Sequence, residues 1–125
     1  MLVRPTVLAA KVIGLAIRVH RNLGPGLLES AYEACLAQEF TLGGIEFGRQ
    51  MPVPVLYRGL AIDCAYRADM IVDGTLLLEI KSVNEFSSIH QAQVLTYLKL
   101  LGLRQGMLMN FNRNRLVDGI RNVLV

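Results

Sequence analysis

Residues 66–82, YRADMIVDGTLLLEIKS, limit the fold more than any other feature of the sequence. Two apolar runs flank an Asp-Gly pair, a pattern that predicts two antiparallel strands joined by a tight turn. Most of this hairpin looks like core, yet it carries Asp69, Glu79 and Lys81. A buried, unpaired charge costs several kcal/mol, so such groups are usually paired, bound to a metal or functional.

The register of the hairpin determines whether these three side chains can meet. A two-residue loop at the Asp-Gly pair turns Asp69 away from Glu79, because a one-residue slip moves a side chain to the other face. A three-residue loop, such as residues 72–74 with Gly74 in the left-handed conformation, places odd-numbered residues opposite odd-numbered ones. Asp69 then shares a face with Glu79 and Lys81. The sequence suits either loop, and the site hypothesis requires the odd one.

With the odd loop, two neighbouring carboxylates repel each other unless a cation lies between them. Oxygen ligands without a nearby His or Cys favour a hard ion, Mg²⁺ or Mn²⁺. Lys81, two residues beyond Glu79, could then position a water molecule and stabilise charge on an attacked phosphate, as in phosphodiester hydrolysis. The alternative is a structural salt bridge among Asp69, Glu79 and Lys81 at the edge of the sheet.

The remaining pattern predicts an α/β (α+β) fold in the order ααβββαβ(β), with a mixed sheet flanked by helices. The first helix is expected from a Thr6 cap to about Asn22, ended by LGPGL, and the second from about 28 to 42. Five residues of the first helix fall roughly on one stripe: Val7, Ala10, Ile13, Ile17 and His20. Strands are expected in RQMPVPVLY, LAIDCAYRADMIV, TLLLEIK and GMLMNF, and a last strand or short helix in LVDGIRNVLV. A third helix is expected from a Ser87 or Ser88 cap to near Leu101.

Length and composition set the class. The 125 residues predict one domain, 1–125, with a single core, and the 53% apolar content excludes a disordered chain. No apolar run is long enough for a membrane span, and Lys11 and Arg18 favour an amphipathic helix over a signal peptide. Cys35 and Cys64 are predicted to be buried free thiols of a cytoplasmic protein. The net charge of +3 permits a nucleic-acid partner without demanding one.

Four motifs in order carry a resemblance to a known family. RAD…LEIK, with Asp69 and Glu79-Ile80-Lys81, resembles the PD-(D/E)XK nuclease superfamily. QVLTY, with Gln93 and Tyr97 on one helix face, resembles the QxxxY motif of its exonuclease-like branches. GLLESAY, with Gly26, Glu29 and Tyr32, is similar to the signature of the small GxxExxY proteins of that superfamily. The resemblance covers about residues 10–123, and only the superfamily's proline before the aspartate is replaced, by Ala68.

The resemblance implies a restriction-endonuclease-like core and a catalytic set of Asp69, Glu79, Lys81, Gln93 and Tyr97. It also implies that Glu29 joins Asp69 and Glu79 around the metal; the alternative is a carboxylate that complements the helix dipole. Tyr32 is expected in the core, with its hydroxyl tied to the site. His20 and His90 are interpreted as structural rather than as ligands, and Arg49 and Arg104 remain candidates for phosphate contact.

Together these features favour a Mg²⁺-dependent or Mn²⁺-dependent enzyme that hydrolyses nucleic-acid phosphodiesters, with DNA favoured over RNA. Two alternatives stay open: a binding module that keeps the fold without hydrolysis, and a structural protein with a salt-bridged hairpin. The absence of an accessory DNA-reading domain suggests a homodimer or a protein partner for substrate capture, with no membrane association.

Overall fold

The computed structural model describes residues 6–63 and 66–125 of the chain. In order along the chain, the elements are α1 (Val7–Leu23), α2 (Glu29–Leu42), β1 (Phe47–Pro52), β2 (Val55–Tyr57), β3 (Leu60–Ile62), β4 (Arg67–Val72), β5 (Leu76–Lys81), α3 (Ser88–Leu101), β6 (Gln105–Asn110), a 3₁₀ turn (Leu116–Gly119) and β7 (Ile120–Leu124). This is the mixed α+β architecture that the sequence predicts. The strand pattern differs, because RQMPVPVLY and LAIDCAYRADMIV each divide into two strands.

A five-stranded sheet in the order β1-β4-β5-β6-β7 forms the centre of the molecule. Only β5 and β6 run parallel, and α3 makes the crossover between them. Both of these strands are covered on both faces, which explains their nearly continuous apolar sequences. Strands β2 and β3 form a separate two-stranded ribbon between β1 and β4.

The helices cover the two faces of the sheet. One buried cluster joins α1 and α2 to Leu76, Leu78 and Ile80 of β5. The other joins α3 to Leu77 of β5. Because side chains alternate along a strand, Glu79 belongs to the α3 face.

Helix α1 begins at the predicted cap, since Thr6 Oγ1 accepts a hydrogen bond from the backbone N–H of Ala9. The predicted stripe on α1 holds in part: His20 is buried and Ile13 and Ile17 are half-buried against the core, but Val7 and Ala10 are exposed. The buried residues of α1 are Ala9, Val12, Ala16, Val19 and His20, whereas Val7 is 88% exposed. The helix is apolar on several faces, so its periodicity does not select one face; packing against α2 and the sheet does.

The β4–β5 hairpin has the odd loop that the site hypothesis requires. Val72 pairs with Leu76, which leaves Asp73, Gly74 and Thr75 in the loop. Asp73 and Gly74 both have left-handed backbones, with φ of 54° and 66°. The loop therefore lies one residue later than residues 72–74, and Gly74 has the expected conformation.

Two further expectations concern the thiols. Cys35 is a free thiol, but it is half-buried rather than buried. Cys64 lies outside the described residues.

Candidate active site

Strands β4 and β5 stop pairing at Asp69 and Glu79. Their ladder runs from Val72↔Leu76 to Met70↔Leu78, so continuing the register places Asp69 opposite Glu79. At this position, hydrogen bonds from backbone N–H groups to side-chain carboxylates take the place of the backbone–backbone hydrogen bonds of the ladder. The backbone N–H of Ile80 donates to Asp69 Oδ2 at 2.7 Å, and that of Asp69 donates to Glu79 Oε1 at 3.3 Å. Each carboxylate is thus fixed by the backbone of the opposite strand.

Glu79 is the more buried of the two acids, at 3% exposure, whereas Asp69 is half-buried. The pKa of Glu79 is raised from 4.5 to about 9, mainly by burial and next by the neighbouring Asp69 charge. The charge of Lys81 lowers this pKa, but by less than the other effects raise it. The Glu79 carboxyl of the metal-free protein therefore keeps its proton at neutral pH.

Lys81 lies on the same face of β5 as Glu79, two residues on, and is half-buried. The ion pairs among residues 6–63 and 66–125 are Arg18–Glu39 and Arg49–Glu33, so none joins Lys81 to Asp69 or Glu79. Strands β4 and β5 are also interior strands of the sheet, not edges. The geometry therefore differs from a salt-bridged hairpin at a sheet edge.

Helix α3 brings Gln93 and Tyr97 to this face. Gln93 Nε2 donates to the hydroxyl of Tyr97 at 3.2 Å. Burial raises the pKa of Tyr97, and the charges of Glu79 and Asp69 contribute to that shift, so its phenol lies within electrostatic reach of both acids. Tyr97 packs in the α3 cluster with Leu77, on the face of the sheet that also carries Glu79.

Helix α2 meets the end of β5 through Glu29. Its Oε1 accepts a hydrogen bond from the backbone N–H of Ser82 at 3.2 Å, and Ser82 Oγ donates to the carbonyl of Leu27 at 2.7 Å. In the part of the chain that the structure describes, no three His, Cys, Asp or Glu side chains form a group that could hold a metal ion. Glu29 therefore fixes the end of β5, and its place beside Asp69 and Glu79 at a metal stays a prediction.

Tyr32 is fully buried, as the sequence predicts. Its hydroxyl was expected to contact the site but instead contacts the loop before α2. It donates to the carbonyl of Gly24 at 2.6 Å and accepts from the backbone N–H of Leu27 at 3.1 Å. Its ring stacks on Phe111, with centroids 4.4 Å apart. Gly26, with φ of 98°, lies inside the loop that Tyr32 closes. The Gly26, Glu29 and Tyr32 motif thus braces the loop before α2 against the end of β5.

Two residues of the site were missed in the sequence analysis, Glu33 and Gln50. Glu33 is buried and accepts from Arg49 Nε at 3.0 Å and from Gln50 Nε2 at 2.8 Å. Gln50 Nε2 is also 3.5 Å from Asp69 Oδ1. The side-chain amide of Gln50 therefore lies between the Glu33 and Asp69 carboxylates. The one available signal was the spacing of Glu33, one turn after Glu29 on the buried face of α2.

The backbone of Gln50 is in the left-handed region, with φ of 49°, inside strand β1. A residue with a side chain is strained in this conformation by about 1–3 kcal/mol, and such strain concentrates at functional sites. At this position the strain accompanies the turn of the amide towards Asp69.

The other candidate residues lie away from the carboxylates or have structural partners. His20 Nε2 is 2.8 Å from the carbonyl of Arg113, and His90 Nδ1 accepts from the backbone N–H of Ser87. Arg49 is engaged by Glu33. Arg104 precedes β6 at the end of the sheet opposite Asp69, because Gln105 pairs with Leu76.

A family model described as the PD-(D/E)XK nuclease superfamily matches residues 6–123. The chain therefore belongs to the PD-(D/E)XK nuclease superfamily, and its mixed sheet flanked by three helices agrees with a restriction-endonuclease-like fold. No curated protein and no solved structure matches the chain significantly. Membership implies a nuclease-like domain and a nucleic-acid substrate. Within residues 6–63 and 66–125, no helix has the length and apolar character needed to cross a membrane.

Proposed function

We propose that the chain is a single-domain, metal-dependent nuclease of the GxxExxY type that hydrolyses nucleic-acid phosphodiesters. The observation that carries the proposal is the pairing of Asp69 and Glu79 where β4 and β5 separate. Two acids held together in a sheet, one of them buried, are an arrangement that a bound cation stabilises.

The donor set fits Mg²⁺ or Mn²⁺. Asp69 and Glu79 offer carboxylate oxygens, the ligands that hard divalent ions prefer. The raised pKa of Glu79 supports the fit, because two neighbouring carboxylates are hard to ionise together without added positive charge. When bound, the ion would neutralise charge on the attacked phosphate and lower the pKa of a water molecule.

The chain's own residues supply orientation and charge. Lys81, without an ion-pair partner among the described residues, is free to contact the scissile phosphate or to position the attacking water. Gln93 and Tyr97 border the same space and can donate hydrogen bonds to a phosphate oxygen or support Lys81. Glu29 acts from a distance, by fixing Ser82 and therefore the end of β5 that carries Lys81.

The substrate is proposed to be DNA in preference to RNA, and the protein to work in the cytoplasm as a homodimer or with a protein partner. The net charge of +3 supports only modest electrostatic attraction to a polyanion. A second subunit or a partner would therefore add to substrate capture.

The first test is calorimetric titration of Mg²⁺ or Mn²⁺ into the wild type, Asp69→Asn and Glu79→Gln. A matched control is Glu46→Gln, because Glu46 is exposed near the hairpin loop at the other end of β4. We expect binding by the wild type and the control only. The same samples are then incubated with single-stranded and double-stranded DNA and RNA, with Lys81→Met added. Cleavage that needs metal, Glu79 and Lys81 supports the proposal.

The alternative is a binding module that keeps the nuclease fold. Nucleic-acid binding that persists in EDTA, with no cleavage under any metal, would favour that function. Absence of metal binding by the wild type would remove the proposed site.

A further inference from the structure

The β2–β3 ribbon, residues 55–62, is the one part of the described sheet structure that lies outside the five-stranded sheet. Tyr57 pairs with Leu60, and Leu56 pairs with Ala61 on the opposite face. Leu56, Tyr57 and Leu60 are 66%, 63% and 63% exposed. Apolar side chains are therefore exposed on both faces of the ribbon.

The tip of the ribbon is a two-residue turn with a cation. Arg58 and Gly59 both have left-handed backbones, with φ of 48° and 87°, as a type I′ hairpin turn requires. Arg58 makes no ion pair with any described residue. Arg67, at the start of β4, makes none either. In the sequence between Arg58 and Arg67, Asp63 is the only acidic residue. Because Arg58 lies in the turn, the tip of the ribbon carries an unpaired positive charge.

The ribbon leaves the sheet at the end where the candidate site lies. Pro52 pairs with Arg67, and the backbone N–H of Val53 donates to the carbonyl of Tyr66 at 2.9 Å. Asp69 follows Arg67 by two residues, a rise of about 7 Å along a strand. From Pro52 to Tyr57 the chain extends by at most about 17 Å. This reach exceeds the roughly 8.5 Å depth of the DNA major groove.

We infer that the β2–β3 ribbon is a duplex-binding element that enters a groove of the nucleic acid beside the phosphodiester held at Asp69 and Glu79. The inference rests on the proposed nuclease function and names its substrate class as a duplex. A two-stranded ribbon fits a groove of duplex DNA, where an arginine contacts phosphates or base edges. Exposed leucines can wedge between base steps.

A protein partner fits the ribbon less well. Three side chains at the end of a short ribbon offer much less than the roughly 800 Å² per partner of a standard protein interface. The unpaired Arg58 at the tip is instead complementary to a polyanion. Because the ribbon leaves the sheet beside the site, it can reach any duplex that the site holds.

The test is fluorescence anisotropy with a 20-base-pair DNA duplex and a single strand of the same length, in EDTA so that neither is cut. The variants are Arg58→Ala and the double change Leu56→Ser with Leu60→Ser. The matched controls are Lys11→Ala, an exposed cation of α1, and Leu42→Ser, an exposed leucine at the end of α2. Because all the altered side chains are exposed, thermal melting should be unchanged.

We expect Arg58→Ala to bind the duplex about tenfold more weakly, and the slope of log affinity against log salt to fall by about one. The double leucine variant should also lose duplex affinity, and both controls should match the wild type. Ribbon variants that bind the duplex like the controls would overturn the inference, as would equal losses on duplex and single strand. No duplex binding by the wild type would overturn it too.

Two further outcomes separate this inference from the proposed function. Ribbon-dependent duplex binding without metal-dependent cleavage would overturn the nuclease function and support the ribbon. A ribbon variant that elutes as a monomer where the wild type elutes as a dimer, with unchanged duplex affinity, would assign the ribbon to a second copy of the chain and overturn the inference.

Discussion

The backbone N–H of Ile80 donates a 2.7 Å hydrogen bond to Asp69 Oδ2, at the point where β4 and β5 cease to pair. This contact joins the two halves of the RAD…LEIK motif. The separation leaves the Asp69 and Glu79 carboxylates side by side.

The first prediction concerns the pH dependence of stability. Because the folded-state pKa of Glu79 is raised from 4.5 to about 9, the folded protein binds more protons than the unfolded chain between these values. Stability from this group is therefore complete below about pH 4.5 and declines as pH rises to about 9, by up to about 1.4 kcal/mol per pH unit. Urea unfolding in EDTA at pH 6, 7 and 8 measures the slope.

The control for this slope is Glu79→Gln, which cannot ionise. Its free energy of unfolding should change less between pH 6 and pH 8 than that of the wild type. Identical pH profiles for the two proteins would show that Glu79 titrates near its ordinary pKa.

The second prediction concerns Gln50. Gln50→Ala removes the amide between Glu33 and Asp69, so the metal affinity should fall by about 10–100-fold, as for other groups that orient ligands. Gln50→Gly also removes the amide but relieves the left-handed backbone strain, so it should be more stable than Gln50→Ala. Calorimetry and thermal melting of both variants, with exposed Gln91→Ala as control, separate the two effects. Unchanged metal affinity in both would restrict Gln50 to a structural role.

The third prediction concerns Tyr97. Tyr97→Phe keeps the ring in the α3 core but removes the hydroxyl that Gln93 contacts, so stability should change by only about 1 kcal/mol. If the hydroxyl serves the reaction, kcat should fall at least tenfold while KM changes little. Steady-state cleavage assays measure both constants. A kcat equal to that of the wild type would assign Tyr97 to packing alone.

The fourth prediction concerns the packing of α3 on β6. A Cβ at Gly106 would lie 2.9 Å from Val94 Cγ1 and 3.4 Å from the Leu98 methyl groups. Gly106→Ala should therefore destabilise the protein by about 1–3 kcal/mol. Gly14→Ala is the matched control, because nothing lies within 4 Å of its added Cβ in α1, and it should stabilise by about 0.5–1 kcal/mol. Chemical denaturation compares them; equal effects would mean that α3 can shift away from β6.

Local patterns predicted most of the elements. The Thr6 cap, the Arg58-Gly59 turn, the Gly102 stop of α3 and the β4–β5 hairpin are all confirmed, because each depends on backbone preferences of a few neighbouring residues. The stripe of α1 was wrong at Val7 and Ala10, because an apolar helix offers several faces and only its neighbours select one.

Part of the site could also be predicted from a local pattern. Asp69, Glu79 and Lys81 lie on adjacent strands of one hairpin, so strand alternation brings them together once the loop is odd. The partner of Asp69 could not be found this way. Gln50 of β1 contacts Asp69, and Glu33 of α2 contacts Gln50, and only long-range packing brings these residues together.

The sequence by itself determined the helices, the hairpin and the family to which the chain belongs, because these depend on local propensity and on motifs in a fixed order. Only the tertiary structure decided the odd register, the separation of β4 and β5, and the contact of Glu29 with Ser82 rather than with Asp69. The physical reason is that no local pattern encodes these features: the Asp-Gly loop suits either register, and the Glu29 contact depends on the packing of α2 against the end of β5.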